Sequence, residues 1–139
     1  MDVVLNEKYI YKKEVDMTIL IVDDSPIMRQ VLKEIIVSNC DVGPEEVSEA
    51  SNGLEAIAMY QKKKPKLVFL DIIMPDLEGT EVAKMLKRID PSARIVMCSY
   101  SADEDDMEKC REAGAKAYII KPPQASLIVE SVAKALSDD

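Results

Sequence analysis

Leu67-Val68-Phe69-Leu70-Asp71 decides the fold of this chain: four consecutive apolar residues that stop at a carboxylate. A run apolar at every position, rather than at alternate ones, is what a central strand of a parallel sheet needs when both faces are covered. Three further runs share this form. Ile19 to Val22 stops at Asp23-Asp24, Ile95 to Cys98 at Ser99, and Tyr118 to Ile120 at Lys121. With residues 46–50, these place strands at 18–22, 46–50, 67–70, 94–98 and 117–120, rich in Val, Ile, Leu and Tyr. Amphipathic segments between them predict helices over 26–38, 54–63, 79–88, 102–113 and 124–136. Five strands alternating with five helices predict an α/β domain: a doubly wound parallel sheet with right-handed crossovers and helices on both faces.

Boundary chemistry supports these limits. Ser25-Pro26 reads as an N-cap followed by proline at the first helical position. Asn52-Gly53 punctuates the turn before the second helix, and Gly114 suits the position just past the fourth. On the first helix, Ile27, Val31, Ile35 and either Leu32 or Ile36 form one apolar stripe, expected to pack on the sheet.

The 139 residues fit one domain, assigned to 17–139. Residues 1–16 mix Val, Tyr and Ile with Lys and Glu and show no clear cap or period. They read by default as an N-terminal arm, with an added edge strand or a partner-binding segment as alternatives. A formal charge of −8 argues against direct nucleic-acid binding, which needs clustered Lys and Arg. No apolar stretch has membrane-spanning length and no signal-peptide pattern opens the chain, so a cytoplasmic location is expected. Cys40, Cys98 and Cys110 lack paired metal-ligand spacing and read as packing residues or incidental thiols. The chain contains no histidine, which excludes Ser-His and Cys-His nucleophilic sites and favours an all-oxygen metal site over zinc.

In a parallel sheet all strand C-termini open onto one edge, where ligands bind. Asp23, Asp24, Asp71, Ser99 and Lys121 should therefore converge. Any one of them could be an ordinary polar strand end; five at successive strand ends point to a site. Adjacent Asp23 and Asp24 can share it only if the strand ends there, as Ser25-Pro26 indicates. Carboxylates brought together repel by about 4 kcal/mol per pair at 4 Å with an effective dielectric near 20. A divalent cation removes that penalty, Mg²⁺ best and Mn²⁺ acceptably. Lys121 and Ser99 add a positive charge and a hydroxyl donor, which suggest a phosphoryl group shared with the cation. Asp71, ending the central strand, is the candidate nucleophile.

The motifs Ile21-Val22-Asp23-Asp24-Ser25, Leu70-Asp71-Ile72-Ile73-Met74-Pro75 with Gly79, Cys98-Ser99 and Tyr118-Ile119-Ile120-Lys121-Pro122 resemble those of receiver domains of bacterial two-component response regulators. The resemblance runs from about 17 to 136. The opening Asp-Asp-Ser-Pro-Ile-Met-Arg is most similar to stand-alone chemotaxis-type regulators. It implies a flavodoxin-like sheet in strand order 2-1-3-4-5. It also implies that Asp71 takes a phosphoryl group from a histidine on a partner kinase, with small acyl phosphates as alternative donors. Asp24, Asp71 and the Ile73 carbonyl would bind Mg²⁺ directly, and Asp23 largely through water. Lys121 would pair with the phosphoryl group, and its bond to Pro122 should be cis. Ser99 would move to the phosphoryl oxygen and Tyr118 would rotate inward. A downstream target would then read the surface of the fourth helix, fifth strand and fifth helix. The implied activity is that of a phosphoacceptor with only self-phosphorylation and self-dephosphorylation chemistry.

Several positions bear on the departure from the common pattern. Tyr100 follows the switch hydroxyl where a small residue is usual, so phosphoryl access should be narrower. Ile73 and Ser101 flank the path of an attacking water, and an apolar Ile73 cannot orient that water, so self-dephosphorylation should be slow. Pro123 stands where an aromatic is common. Met17 falls where many relatives begin. Competing readings are a phosphorelay intermediate, a receiver cut from a longer transcriptional regulator, an aspartyl-phosphate hydrolase and a flavodoxin-type binding module. The hydrolase pattern Asp-x-Asp after the first strand is absent, and so is the Thr/Ser-rich phosphate loop of flavodoxins.

Overall fold

Leu67 to Leu70 are buried without exception, and the strand they form stands at the centre of the sheet. In the computed structural model, which describes residues 18–137, the elements run in the expected alternation. They are β1 (Ile19–Val22), α1 (Pro26–Asn39), a 3-10 turn (Pro44–Glu46), β2 (Val47–Ala50), α2 (Gly53–Lys63) and β3 (Leu67–Leu70). Then follow α3 (Gly79–Ile89), β4 (Ile95–Ser99), α4 (Glu104–Glu112), β5 (Ala117–Ile120) and α5 (Ala125–Ser137). Every strand pairing is parallel, and the order is β2-β1-β3-β4-β5, the flavodoxin-like arrangement. The reading of residues 1–16 as an arm lies outside the described residues.

Successive side chains on a strand point to opposite faces, and the core divides accordingly. Leu20, Val22, Val68, Leu70, Ile95 and Met97 pack under α2, α3 and α4 through Ala56, Tyr60, Val82, Leu86 and Cys110. Ile19, Ile21, Leu67, Phe69, Val96 and Cys98 pack under α1 and α5 through Leu32, Ile36, Ile128 and Val132. Cys98 and Cys110 are buried free thiols, pushed up by that burial to about 12 and about 11. They are packing residues, as the sequence suggested. No helix of the described residues is long and apolar enough to cross a membrane.

The stripe expected on α1 is corrected by the structure. Ile27 is 74% exposed and Val31 39%, whereas Leu32 and Ile36 are buried, with Met28 and Ile35 packed beside them. The helix is phased by its polar anchors. Ser25 Oγ accepts from the Met28 N–H at 3.1 Å, and Arg29 donates to the Asp23 carbonyl and to Glu49 Oε1. With residue 29 turned toward β2, the 3.6-residue period carries 28, 32 and 36 onto the sheet and leaves 27 and 31 outside. Urea denaturation should show Leu32→Ala costing about 2–5 kcal/mol, while Ile27→Ala stays within about 0.5 kcal/mol of wild type. Equal losses would restore the original stripe.

Smaller shifts have local causes. Glu46 belongs to the 3-10 turn, so β2 begins at Val47. Asp103 caps α4 through the Asp105 N–H, which moves that helix's start to Glu104. Gly114, with φ +104°, takes the left-handed conformation just past α4.

Candidate functional site

Asp23 follows β1, Asp71 follows β3, Ser99 closes β4 and Lys121 follows β5, so the parallel sheet delivers all four to one edge. Strand β1 ends abruptly because Asp23 Oδ1 accepts the Ser25 N–H at 2.9 Å, folding the chain back into the helix cap. That turn lets Asp24 join the side chain before it. One carboxylate oxygen each from Asp23, Asp24 and Asp71 lies within 4.8 Å of the other two. Asp23 and Asp71 are buried, and Asp24 is exposed.

Lys121 is the counter-charge. Its Nζ lies 2.6 Å from Asp23 Oδ2 and 3.4 Å from Asp71 Oδ1. The Ile72 N–H also donates to Asp71 Oδ1, at 2.8 Å. Burial pushes the Asp71 carboxyl above its ordinary range, and the Asp23 charge adds to this, while Lys121 opposes it. Burial works to lower the Lys121 pKa, but the hydrogen bond to Asp23 and both carboxylate charges outweigh it, and the net shift is upward. One ammonium thus faces three carboxylates. The donor set is all oxygen and over-charged by two, which fits a hard divalent cation.

Ser99 is buried and accepts the Ser101 N–H at 3.2 Å. Ser101 is a junction that the sequence did not reveal. Its carbonyl accepts the Tyr118 hydroxyl at 2.8 Å, and its own hydroxyl donates to Asp106 Oδ2 at 2.6 Å and accepts the Asp103 N–H. Ser99 and half-buried Tyr118 are therefore linked through one loop residue. A Ser-x-Asp approach to a helix start was the available signal. Tyr100 is exposed, its ring centre 5.3 Å from Lys121 Nζ, so it stands over the ammonium at the rim. The Lys121–Pro122 bond is cis.

Ile73 lies two residues past Asp71 and is 72% exposed. The loop carrying it is closed at its base, where the Gly79 N–H donates to the Ile72 carbonyl at 2.6 Å. Arg29, which holds the Asp23 carbonyl, and Asp76, whose carboxylate accepts from the Gly53 and Leu54 N–H groups, also escaped the sequence reading. Neither stands at the end of a strand, Arg29 lying within α1 and Asp76 in the loop before α3, so neither carried the pattern that marked the others.

The profile described as the response regulator receiver domain matches residues 19–133. The chain belongs to the response regulator receiver domain family. Its similarity to chemotaxis-type members is substantial. The chemotaxis protein CheY of Bacillus subtilis is 43% identical to this receiver over 119 residues, 86% of this chain and 97% of that protein. A CheY-like receiver domain protein from Methanospirillum hungatei superposes with a TM-score of 0.78 at 28% identity, covering 88% of this receiver and 94% of that chain. A second crystal structure holds CheY from Borrelia burgdorferi in a complex with CheX, BeF3 and magnesium. It gives a TM-score of 0.76 at 29% identity over 88% of this receiver and 90% of that chain.

Proposed function

We propose that this chain is a single-domain response regulator, its receiver spanning 17–139, that accepts a phosphoryl group on Asp71. The convergence of Asp23, Asp24, Asp71 and Lys121 at one strand edge carries the reading. An Asp71 carboxylate oxygen attacks phosphorus, the phosphorus–nitrogen bond of a donor phosphohistidine breaks, and the electron pair returns to the imidazole. That histidine must come from a partner kinase, because this chain has none. The likeness to the CheY–BeF3–magnesium complex supports both the phosphoryl site and the metal.

Asp24, Asp71 and the Ile73 carbonyl would hold Mg²⁺, with Asp23 acting through water; Mn²⁺ suits the same oxygens. When bound, the ion neutralises the clustered negative charge. Lys121 opposes the burial that favours the protonated form of Asp71 and faces the incoming phosphoryl oxygens. Ser99 and Tyr118 form the switch. A change at Ser99 reaches Tyr118 through Ser101 and alters the α4-β5-α5 surface offered to a target protein.

Four exposed apolar side chains, Ile27, Leu54, Ile73 and Tyr100, lie in the segments after β1, β2, β3 and β4, toward the sheet edge that carries the acidic pocket. Such a surface suits protein docking that excludes water from the transfer. The protein acts in the cytoplasm by protein contact, not by turnover of an outside substrate or by binding nucleic acid.

The test is incubation of the full chain with acetyl phosphate and Mg²⁺, followed by mass spectrometry. One acid-stable, base-labile phosphoryl group should appear, and it should fail to appear with EDTA. A chain that stays unlabelled in both conditions overturns the reading. Once labelled, the phosphoprotein should decay slowly, because the Ile73 side chain presents no polar group to a water. Ile73→Asn should shorten the half-life by roughly tenfold, within the range of positioned proton-transfer and orienting groups. An unchanged half-life would remove Ile73 from that role.

A further inference from the structure

We propose that Asp76 is a positioning residue for this site: its carboxylate clamps the β3–α3 loop, and with it the Ile73 carbonyl, to the N-terminus of α2. The inference rests on the reading of Ile73 and Asp71 given above and extends it to a residue outside the acidic cluster.

The loop from Asp71 to Glu78 is secured at its base. The Asp71 N–H donates to the Val22 carbonyl, and the Gly79 N–H donates to that of Ile72. Met74 is buried in the core beneath α2 and α3. Beyond it Pro75, Asp76 and Glu78 are exposed, and this distal limb needs a hold of its own. Asp76 supplies one. Its Oδ1 accepts the Gly53 N–H at 2.9 Å and the Leu77 N–H at 2.7 Å, and its Oδ2 accepts the Leu54 N–H at 3.0 Å. The first two N–H groups of α2 have no partners within the helix, so a carboxylate from another segment satisfies them and meets the positive end of the helix dipole. These backbone donors hold the Asp76 carboxyl below its ordinary range.

Capping alone does not explain the residue. The helix already has its own cap, Asn52, whose Oδ1 accepts the Glu55 N–H at 2.9 Å while its carbonyl takes that of Ala56. What Asp76 adds is a link between two loops. The contact is close: a Cβ on Gly53 would lie 2.9 Å from both Leu77 Cβ and Val82 Cγ2. Ile73 thus sits between the closure at Ile72 and a limb fastened to α2. Freeing that limb lets the carbonyl leave the position from which it would complete the oxygen shell around an ion.

Asn52→Ala separates clamp from cap, because it weakens α2 without touching the loop. Wild type, Asp76→Ala and Asn52→Ala are compared for urea midpoint, for Mg²⁺ affinity by calorimetry, and for acetyl phosphate labelling rate against Mg²⁺ concentration. Both variants should lower the midpoint. Only Asp76→Ala should weaken Mg²⁺ binding, by roughly tenfold, the usual scale for residues that orient metal ligands. Its labelling should be slow at low Mg²⁺ and return to the wild-type rate at saturation. Unchanged Mg²⁺ affinity, or an equal loss in Asn52→Ala, overturns the clamp. Should Asp76→Ala fail to fold, Asp76→Asn tests the same point, since its amide nitrogen would face a backbone N–H donor to donor; wild-type affinity there overturns the clamp too. A wild-type protein that binds Mg²⁺ but takes no label refutes the phosphoacceptor, while the affinity comparison still reads the clamp.

Discussion

Asp71→Asn will take no phosphoryl label from acetyl phosphate, yet in metal-free buffer near neutral pH it will be harder to unfold than wild type. The first half follows from chemistry, since an amide oxygen has neither the charge nor the electron density to attack phosphorus. The second follows from the charges. Asp71 stands within 4.8 Å of two other carboxylates and 3.4 Å from one ammonium. Two repulsions of at least about 3.5 kcal/mol against one attraction of about 5 leave a net cost on the order of 2 kcal/mol, at an effective dielectric near 20. Asn keeps the shape and removes that cost.

The pH dependence has a definite sign. The folded state raises the Asp71 pKa, so between the ordinary carboxylate range and the raised value it holds a proton that the unfolded chain has released. Stability from this group is complete below that window and is lost as pH rises through it. The advantage of Asp71→Asn should therefore open as pH rises through the window and close below it. Urea midpoints in EDTA at several pH values measure this. Added Mg²⁺ should then raise the wild-type midpoint and leave the variant nearly unchanged. A variant no more stable than wild type near neutrality would mean that Lys121 already balances the cluster.

Gly79→Ala should damage fold and site together, by about 3 kcal/mol or more in stability, at the upper end of overpacking costs. A Cβ built on Gly79 would lie 2.0 Å from the Asp71 carbonyl oxygen and 2.8 Å from Ile72 Cα. Both are backbone atoms, so no rotamer change relieves the clash; either α3 retreats or Asp71 moves. Any variant that remains folded should label about a hundredfold more slowly, the penalty for ångström-scale misplacement of a reacting group. Gly43→Ala is the control. There the new Cβ meets the Glu45 carboxylate, the far end of a flexible side chain, and the change should stay within about 0.5 kcal/mol. Similar midpoints for the two variants would show that the β3–α3 junction yields more easily than its geometry implies.

Much of this protein was legible along the chain. Leu67 to Leu70, apolar at every position, and the similar runs ending at Asp23, Ser99 and Lys121 are local patterns. A local pattern suffices to place strands, and once strands are parallel their ends must meet at one edge. The convergence of the candidate site residues was legible for the same reason, since they stand where apolar runs stop. Other features depend on how elements dock, which no local period encodes. The single stripe read on α1 joined Ile27 and Val31 to Leu32 or Ile36, and only the helix's anchorage by Arg29 to Asp23 and Glu49 decided that Leu32 and Ile36 turn inward while Ile27 and Val31 do not. The division of Lys121 between Asp23 and Asp71, the junction at Ser101 and the reach of Asp76 to α2 are likewise contacts between segments far apart in sequence or across separate loops. Hydrophobic period reports which side of an element avoids water; the partner that each polar group finds is set only when the segments are packed together.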